Sequence, residues 1–210
     1  MEINNPADAV KYLKNNWSGE YGGPIAAVEA LVDNSGYFEI PHLLMTYIDY
    51  LSGLFSGKGP KRKNTDVREF FNTYFPSVYQ KASAWLIFLY RNGLVHQYVP
   101  KSIRIENGNI ISWYCSLNLS ESKNHLKILP HSDGKPKTYH LRLCAPEFIK
   151  DFKIAVSIFC NDIMNNSDRF KKFEEGYKEF EKSVEIEKIK VPYISEEDKD
   201  WLKNLNKREV

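Results

Sequence analysis

Apolar residues recur at steps of three and four along most of this chain, and that period constrains its fold more than any other feature. Ile40, Leu44, Tyr47, Ile48, Leu51, Leu54 and Phe55 follow it. So do Tyr79, Ala82, Leu86, Leu89, Tyr90 and Leu94, and later Phe148, Ile149, Phe152, Ala155, Val156, Phe159 and Ile163. Side chains at these intervals fall on one face of an α-helix, leaving the opposite face polar. Helices with one apolar face must bury it against one another, so the pattern predicts a mainly α protein built as a helical bundle. At 210 residues the chain has the length of one domain, long enough to bury a sizeable core.

Start and stop signals divide the chain further. Asn5 followed by Pro6 opens a helix running to Asn15, with Asn as cap and Pro in the first turn, where its missing N–H costs nothing. Trp17 to Gly23 is a glycine-rich break, and Pro24 to Val32 is a second helix stopped by Asn34-Ser35-Gly36. The third helix gives way to Gly57-Lys58-Gly59-Pro60-Lys61-Arg62-Lys63, which reads as an exposed basic loop. A short helix is expected over Thr65–Tyr74 with Thr65 as cap. The next opens at Pro76 and ends before Val99-Pro100, because the residue before proline disfavours helix.

Between residues 102 and 143 the period changes. Ser102–Glu106 and Ile110–Cys115 flank Asn107-Gly108, and His125–Leu129 and Thr138–Leu143 flank a loop holding Asp133-Gly134. Asn-Gly between β-forming runs is a hairpin signal, so a small antiparallel sheet is expected here, inserted into a helical domain spanning 1–183. Helices then resume at Pro146 and over Asp168–Lys182. Residues 184–210 read as a C-terminal tail, broken at Pro192, with a short helix opened by Ser195-Glu196-Glu197-Asp198.

Several function classes lose support. The start lacks a basic region followed by an apolar run, and the most apolar stretch, Ala82–Tyr90, is too short to span a membrane. The expectation is a cytoplasmic protein with no membrane partner. Cys115, Cys144 and Cys160 are odd in number and widely spread, as in a reducing compartment. His125, His131, His140 and Cys144 cluster in the β region without a zinc spacing, so no metal is expected. Gly57-Lys58-Gly59-Pro60-Lys61 lacks the nucleotide-loop pattern, and no Gly-x-Ser-x-Gly elbow occurs.

Charge is uneven. Residues 57–104 carry 9 basic side chains against 2 acidic, whereas residues 1–56 carry 2 against 7. A local positive field attracts phosphates, and Lys58, Lys61, Arg62, Lys63 and Lys101 are the candidate RNA- or phosphate-binding residues. Inside this segment lies Arg91-Asn92-Gly93-Leu94-Val95-His96. On a helix Asn92 and His96 share a face, and the long Arg91 side chain can swing toward them. Histidine exchanges a proton near neutral pH, and arginine binds a phosphate through two nitrogens.

This stretch, at the end of an apolar and aromatic helix, resembles the signature of the HEPN superfamily: an Arg, then a polar residue such as Asn, then a His four to six residues later. The similarity covers about residues 37–100. It implies a helical bundle that pairs with itself and a metal-independent, cofactor-free RNA endonuclease formed across the two-fold axis. In that reading His96 is the general base, Arg91 stabilises charge on the phosphate and Asn92 orients the reacting groups. Two other readings stand beside it. In one the same pocket binds nucleotide, RNA or a protein without turnover. In the other Arg91 and His96 are structural and pair with a buried carboxylate, for which Asp49 is the natural candidate because it interrupts an otherwise apolar helix.

Overall fold

The computed structural model describes residues 2–17, 23–34, 36, 38–95, 101–131 and 137–184, with backbone alone for 93–95 and 184. Most of these residues are helical. The helices are α1 (Pro6–Trp17), α2 (Gly23–Asp33), α3 (Glu39–Ser56), α4 (Asn64–Tyr74), α5 (Val78–Leu86), α6 (Ala145–Asn165) and α7 (Ser167–Val184). A 3-10 turn (Gly59–Lys61) links α3 to α4, and α5 runs on without a break into a π-helical segment, Ile87–Val95. The expected C-terminal helix at 195 lies outside the described residues.

Local chemistry explains the boundaries. The Asn5 side chain accepts the Asp8 N–H at 3.0 Å, while Asp8 accepts the Asn4 N–H at 3.0 Å, so α1 is capped reciprocally at the residue the sequence points to. The start of α4 differs from expectation. Asp66, not Thr65, closes it, accepting the Lys63 N–H at 2.7 Å, while the Asp66 N–H returns to the Lys63 carbonyl. Thr65 sits inside the first turn.

The core joins all these helices. Leu44, Ile48 and Leu51 of α3, Phe70 and Phe71 of α4, Tyr79 and Leu86 of α5, and Phe148, Phe152 and Phe159 of α6 are sealed from solvent. Several rings meet edge to face, as at Phe70 and Phe159, where the planes lie at 88°, an arrangement ring quadrupoles favour. One crossing depends on glycine. A Cβ on Gly53 would lie 2.6 Å from the Gly59 carbonyl, and one on Gly176 2.6 Å from the Gly53 carbonyl. Backbone-to-backbone contact of α3, the 3-10 turn and α7 is possible because all three residues lack a side chain.

The β insertion is real, but its topology corrects the antiparallel expectation. Strands β1 (Ile103–Arg104), β2 (Ile110–Ser116), β3 (Ile128–Pro130) and β4 (Thr138–Cys144) form one mixed sheet in the order β1-β2-β4-β3. The two expected hairpin pairs, β1–β2 and β3–β4, are antiparallel, whereas β2 and β4 run parallel, with Ile111 opposite Tyr139 and Trp113 opposite Leu141. Each hairpin satisfies one edge of its own long strand. Joining the two long strands edge to edge requires the crossover through residues 117–137. Turn residues encode the hairpins, and nothing local encodes how the hairpins meet. Ile111, Leu141 and Leu143 face the helices and are buried.

Candidate functional site around Arg91

The site is assembled from α3, α4 and the π segment. Arg91 projects toward α3, where its Nε donates to Asp49 Oδ1 at 2.7 Å. Its terminal nitrogen donates to Asn64, the first residue of α4, and to Asn92 at 3.3 Å. Asp49 is 5% exposed. Its second oxygen accepts from Arg62, which also packs over the Phe180 ring, 5.6 Å from its centre. Two guanidinium groups therefore converge on one buried carboxylate and leave an excess of one positive charge. Burial lowers the pKa of Arg62 to about 10, with the nearby Arg91 charge acting in the same direction. Burial also lowers that of Arg91. Both stay cationic at neutral pH.

The backbone here is unusual. From Ile87 the turns widen to the π form, which is rare and frequent at functional sites. Leu89 and Tyr90 are both sealed in the core, while Arg91 and Asn92 emerge at a half-buried edge. The chain comes back to this segment at Lys101, whose N–H donates to the Leu89 carbonyl at 2.9 Å. His96 lies outside the described residues.

The structure distributes the expected basic residues unevenly. Lys58 pairs with Asp66 at 2.5 Å and Lys61 with Glu179 at 2.8 Å. Arg62 belongs to the Asp49 cluster. Lys63 and Lys101 are exposed. The 57–63 segment is thus a turn tied to α4 by Lys58–Asp66 and to α7 by Lys61–Glu179 and by Gly59, which is buried. Sequence reasoning picked out Arg91, Asn92 and Asp49. It passed over Asn64, an exposed asparagine at a helix start that carries no signal of its own, and it read Arg62 as a loop cation.

A second polar cluster lies at the joint between sheet and bundle. The Cys144 N–H donates to His125 Nδ1 at 3.0 Å, so the His125 proton sits on Nε2, 2.9 Å from the Tyr79 hydroxyl. That hydroxyl donates on to Asp151 at 3.0 Å. Burial holds His125 down to about pH 4, against a raising influence of Glu147, and raises Asp151. The next residue, Leu126, is buried with φ at 61°, a left-handed conformation that leucine rarely adopts. Among the described residues no three His, Cys, Asp or Glu side chains are grouped so as to hold a metal ion. His140 packs against His131 and Tyr114, and the three cysteines are free thiols. No helix of the described residues is long and apolar enough to cross a membrane.

No family model matches the chain, and no curated protein or solved structure matches it either.

Proposed function

We propose that this chain is a HEPN-like, RNA-directed protein that cuts RNA without a metal, working as a homodimer through Arg91, Asn92 and His96. The observation that carries the reading is the anchoring of Arg91. Asp49 holds Nε, and the outer nitrogen rests on the neutral amide oxygens of Asn64 and Asn92. A phosphate oxygen carries charge that an amide oxygen lacks, so it displaces those acceptors with a stronger, charge-assisted bond. Arg62 adds a second cation beside the same carboxylate. On the helix that leads into the motif, Val78 and Phe88 are 46% and 55% exposed, with Trp85 half-buried between them. That stripe is the surface for a second copy.

In the chemistry, His96 takes the proton of a ribose 2′-hydroxyl, and the 2′-oxygen attacks the adjacent phosphorus. The 5′-oxygen of the next nucleotide departs and takes a proton from water, leaving a 2′,3′-cyclic phosphate and a 5′-hydroxyl, and the protonated His96 returns its proton to the hydroxide so formed. Arg91 stabilises the charge that grows on the non-bridging oxygens. The test is cleavage of a panel of single-stranded RNAs by the purified protein. The expected result is cyclic phosphate ends from wild type and none from His96→Ala or Arg91→Ala. Arg91→Lys is also inactive, since a lysine cannot hold Asp49 and a phosphate together.

A second reading is favoured by the same hydrogen bonds. Arg91 ties α3, α4 and the π segment together, as a structural brace would. On that reading Arg91 is structural, paired with the buried Asp49, and the chain is a structural or interaction domain. Wild type that neither cuts RNA nor binds it in a salt-sensitive way selects this reading, whereas salt-sensitive binding with no product formed marks a non-catalytic module that binds nucleotide, RNA or protein through the same pocket.

A further inference from the structure

The sheet has two faces, and one of them turns away from the helices. Alternation along the strands puts Ile111, Trp113, Leu141 and Leu143 toward the core and Ser112, Tyr114, His140 and Arg142 on the opposite side. On that outer side Arg142 lies over the Tyr114 ring, 4.0 Å from its centre. The rings of Tyr114 and His140 are close to parallel, tilted by 16° with centres 6.1 Å apart. His131 closes the row, its ring centre 4.2 Å from that of His140. All four side chains are partly exposed.

The four strands contain no Asp or Glu, and they contain two arginines, Arg104 at the β1 edge and Arg142 at the centre. No carboxylate of the described residues pairs with Arg142, and its Nε is buried without a hydrogen-bond partner. With no carboxylate partner, the terminal nitrogens of Arg142, which are not among the buried unsatisfied atoms, have hydrogen-bonding capacity left for an anion. A row of flat aromatic and guanidinium groups stacked against one another, on strands that carry no carboxylate, is a surface on which unpaired bases stack, while cations at the same level meet the backbone phosphates.

We infer that the outer face of the sheet, centred on Tyr114, His140 and Arg142, is a binding platform for single-stranded RNA. The inference rests on the RNA-directed reading above and names its substrate class as unpaired RNA. It gives the β insertion a role: the sheet holds the strand and the Arg91 site acts on it. Paired RNA is a poor ligand for such a surface because its bases are already stacked on one another.

The experiment uses the full chain and a fluorescein-labelled 2′-O-methyl oligouridine, which the proposed chemistry cannot cut, with fluorescence anisotropy as the readout. Wild type is expected to bind it, and Tyr114→Ala and Arg142→Ala each to weaken binding about tenfold. Tyr114→Phe, which keeps the ring, is expected to stay within about twofold of wild type. Arg142→Ala is also expected to lower the slope of log affinity against log salt by about 0.7, one phosphate contact on a single strand. Circular dichroism shows that each variant is folded. The inference is overturned if wild type does not bind the oligomer, if both alanine variants bind like wild type, or if a duplex of the same length binds as tightly. Cleavage of unmodified RNA is measured separately. Loss of cleavage in Arg91→Ala with oligouridine binding retained supports the platform. Binding to the sheet with no cleavage by wild type removes the nuclease reading and leaves the platform standing.

Discussion

Replacing Asp49 by asparagine removes one negative charge from the meeting point of two arginines and keeps the shape of the side chain. The Asp49 side chain is 7% exposed, and those of Arg62 and Arg91 are 17% and 13% exposed, so water does little to screen the loss. Removing one partner of a buried ion pair costs about 3–5 kcal/mol. Here the cost falls toward the lower end, because Arg91 keeps the Asn64 and Asn92 oxygens, Arg62 keeps the Gly59 carbonyl at 3.4 Å, and the substituted amide still offers one acceptor oxygen. A loss of about 3 kcal/mol in a chain of this size lowers Tm by about 6–12 °C. Two guanidinium groups would then face each other with no anion between them. Arg62→Met is therefore expected to destabilise wild type and to restore stability when added to Asp49→Asn. Calorimetry and urea denaturation of the four proteins of this cycle give the coupling. If Asp49→Asn melts within about 2 °C of wild type, or Arg62→Met has the same effect in both backgrounds, the cluster is not the buried, mutually dependent unit described above.

Other consequences follow from the second cluster and from the close helix crossing. His125 is neutral when folded and gains its proton only near pH 4, against 6.5 when unfolded. Between those values the unfolded chain binds more protons, so stability is full above pH 6.5 and falls by about 3 kcal/mol as pH drops toward 4. Asp151 is raised and works the other way at the acidic end, where its folded form binds a proton first. Urea denaturation from neutral pH downward is expected to show a fall that His125→Gln flattens and Asp151→Asn steepens. Gly53→Ala places a methyl group 2.6 Å from the Gly59 carbonyl and is expected to cost about 1–3 kcal/mol by forcing α3 and α7 apart, read as a lower urea midpoint. Asn5→Ala removes the α1 cap and is expected to cost about 1 kcal/mol in the same assay.

What could be read in the sequence was local. The three-and-four apolar period located the long helices because one helical turn decides which residues share a face. Asn5 with Pro6, and Asn107-Gly108, announced a cap and a hairpin because each acts within a few residues of itself. Asp49 stood out as a charge inside an apolar stripe, and a charge in that position needs a cation. Which cations answer it was another matter. Arg91 is 42 positions away from Asp49 and Arg62 is 13, and their meeting depends on how α3, α4 and the π segment cross.

The basic loop shows the same division. Its composition fixed a positive charge there, but only the approach of α7 assigned Lys61 to Glu179 and laid Arg62 over Phe180. The sheet is the clearest case. Turn residues determined two antiparallel hairpins, whereas the parallel join of β2 to β4, and with it the row of Tyr114, His140 and Arg142, was decided by tertiary structure. Turn geometry and helical period are properties of a few consecutive residues. Strand order, ion-pair partners and the composition of a surface depend on segments far apart in the chain, and their pairing is chosen by which packing buries the apolar faces of all of them together.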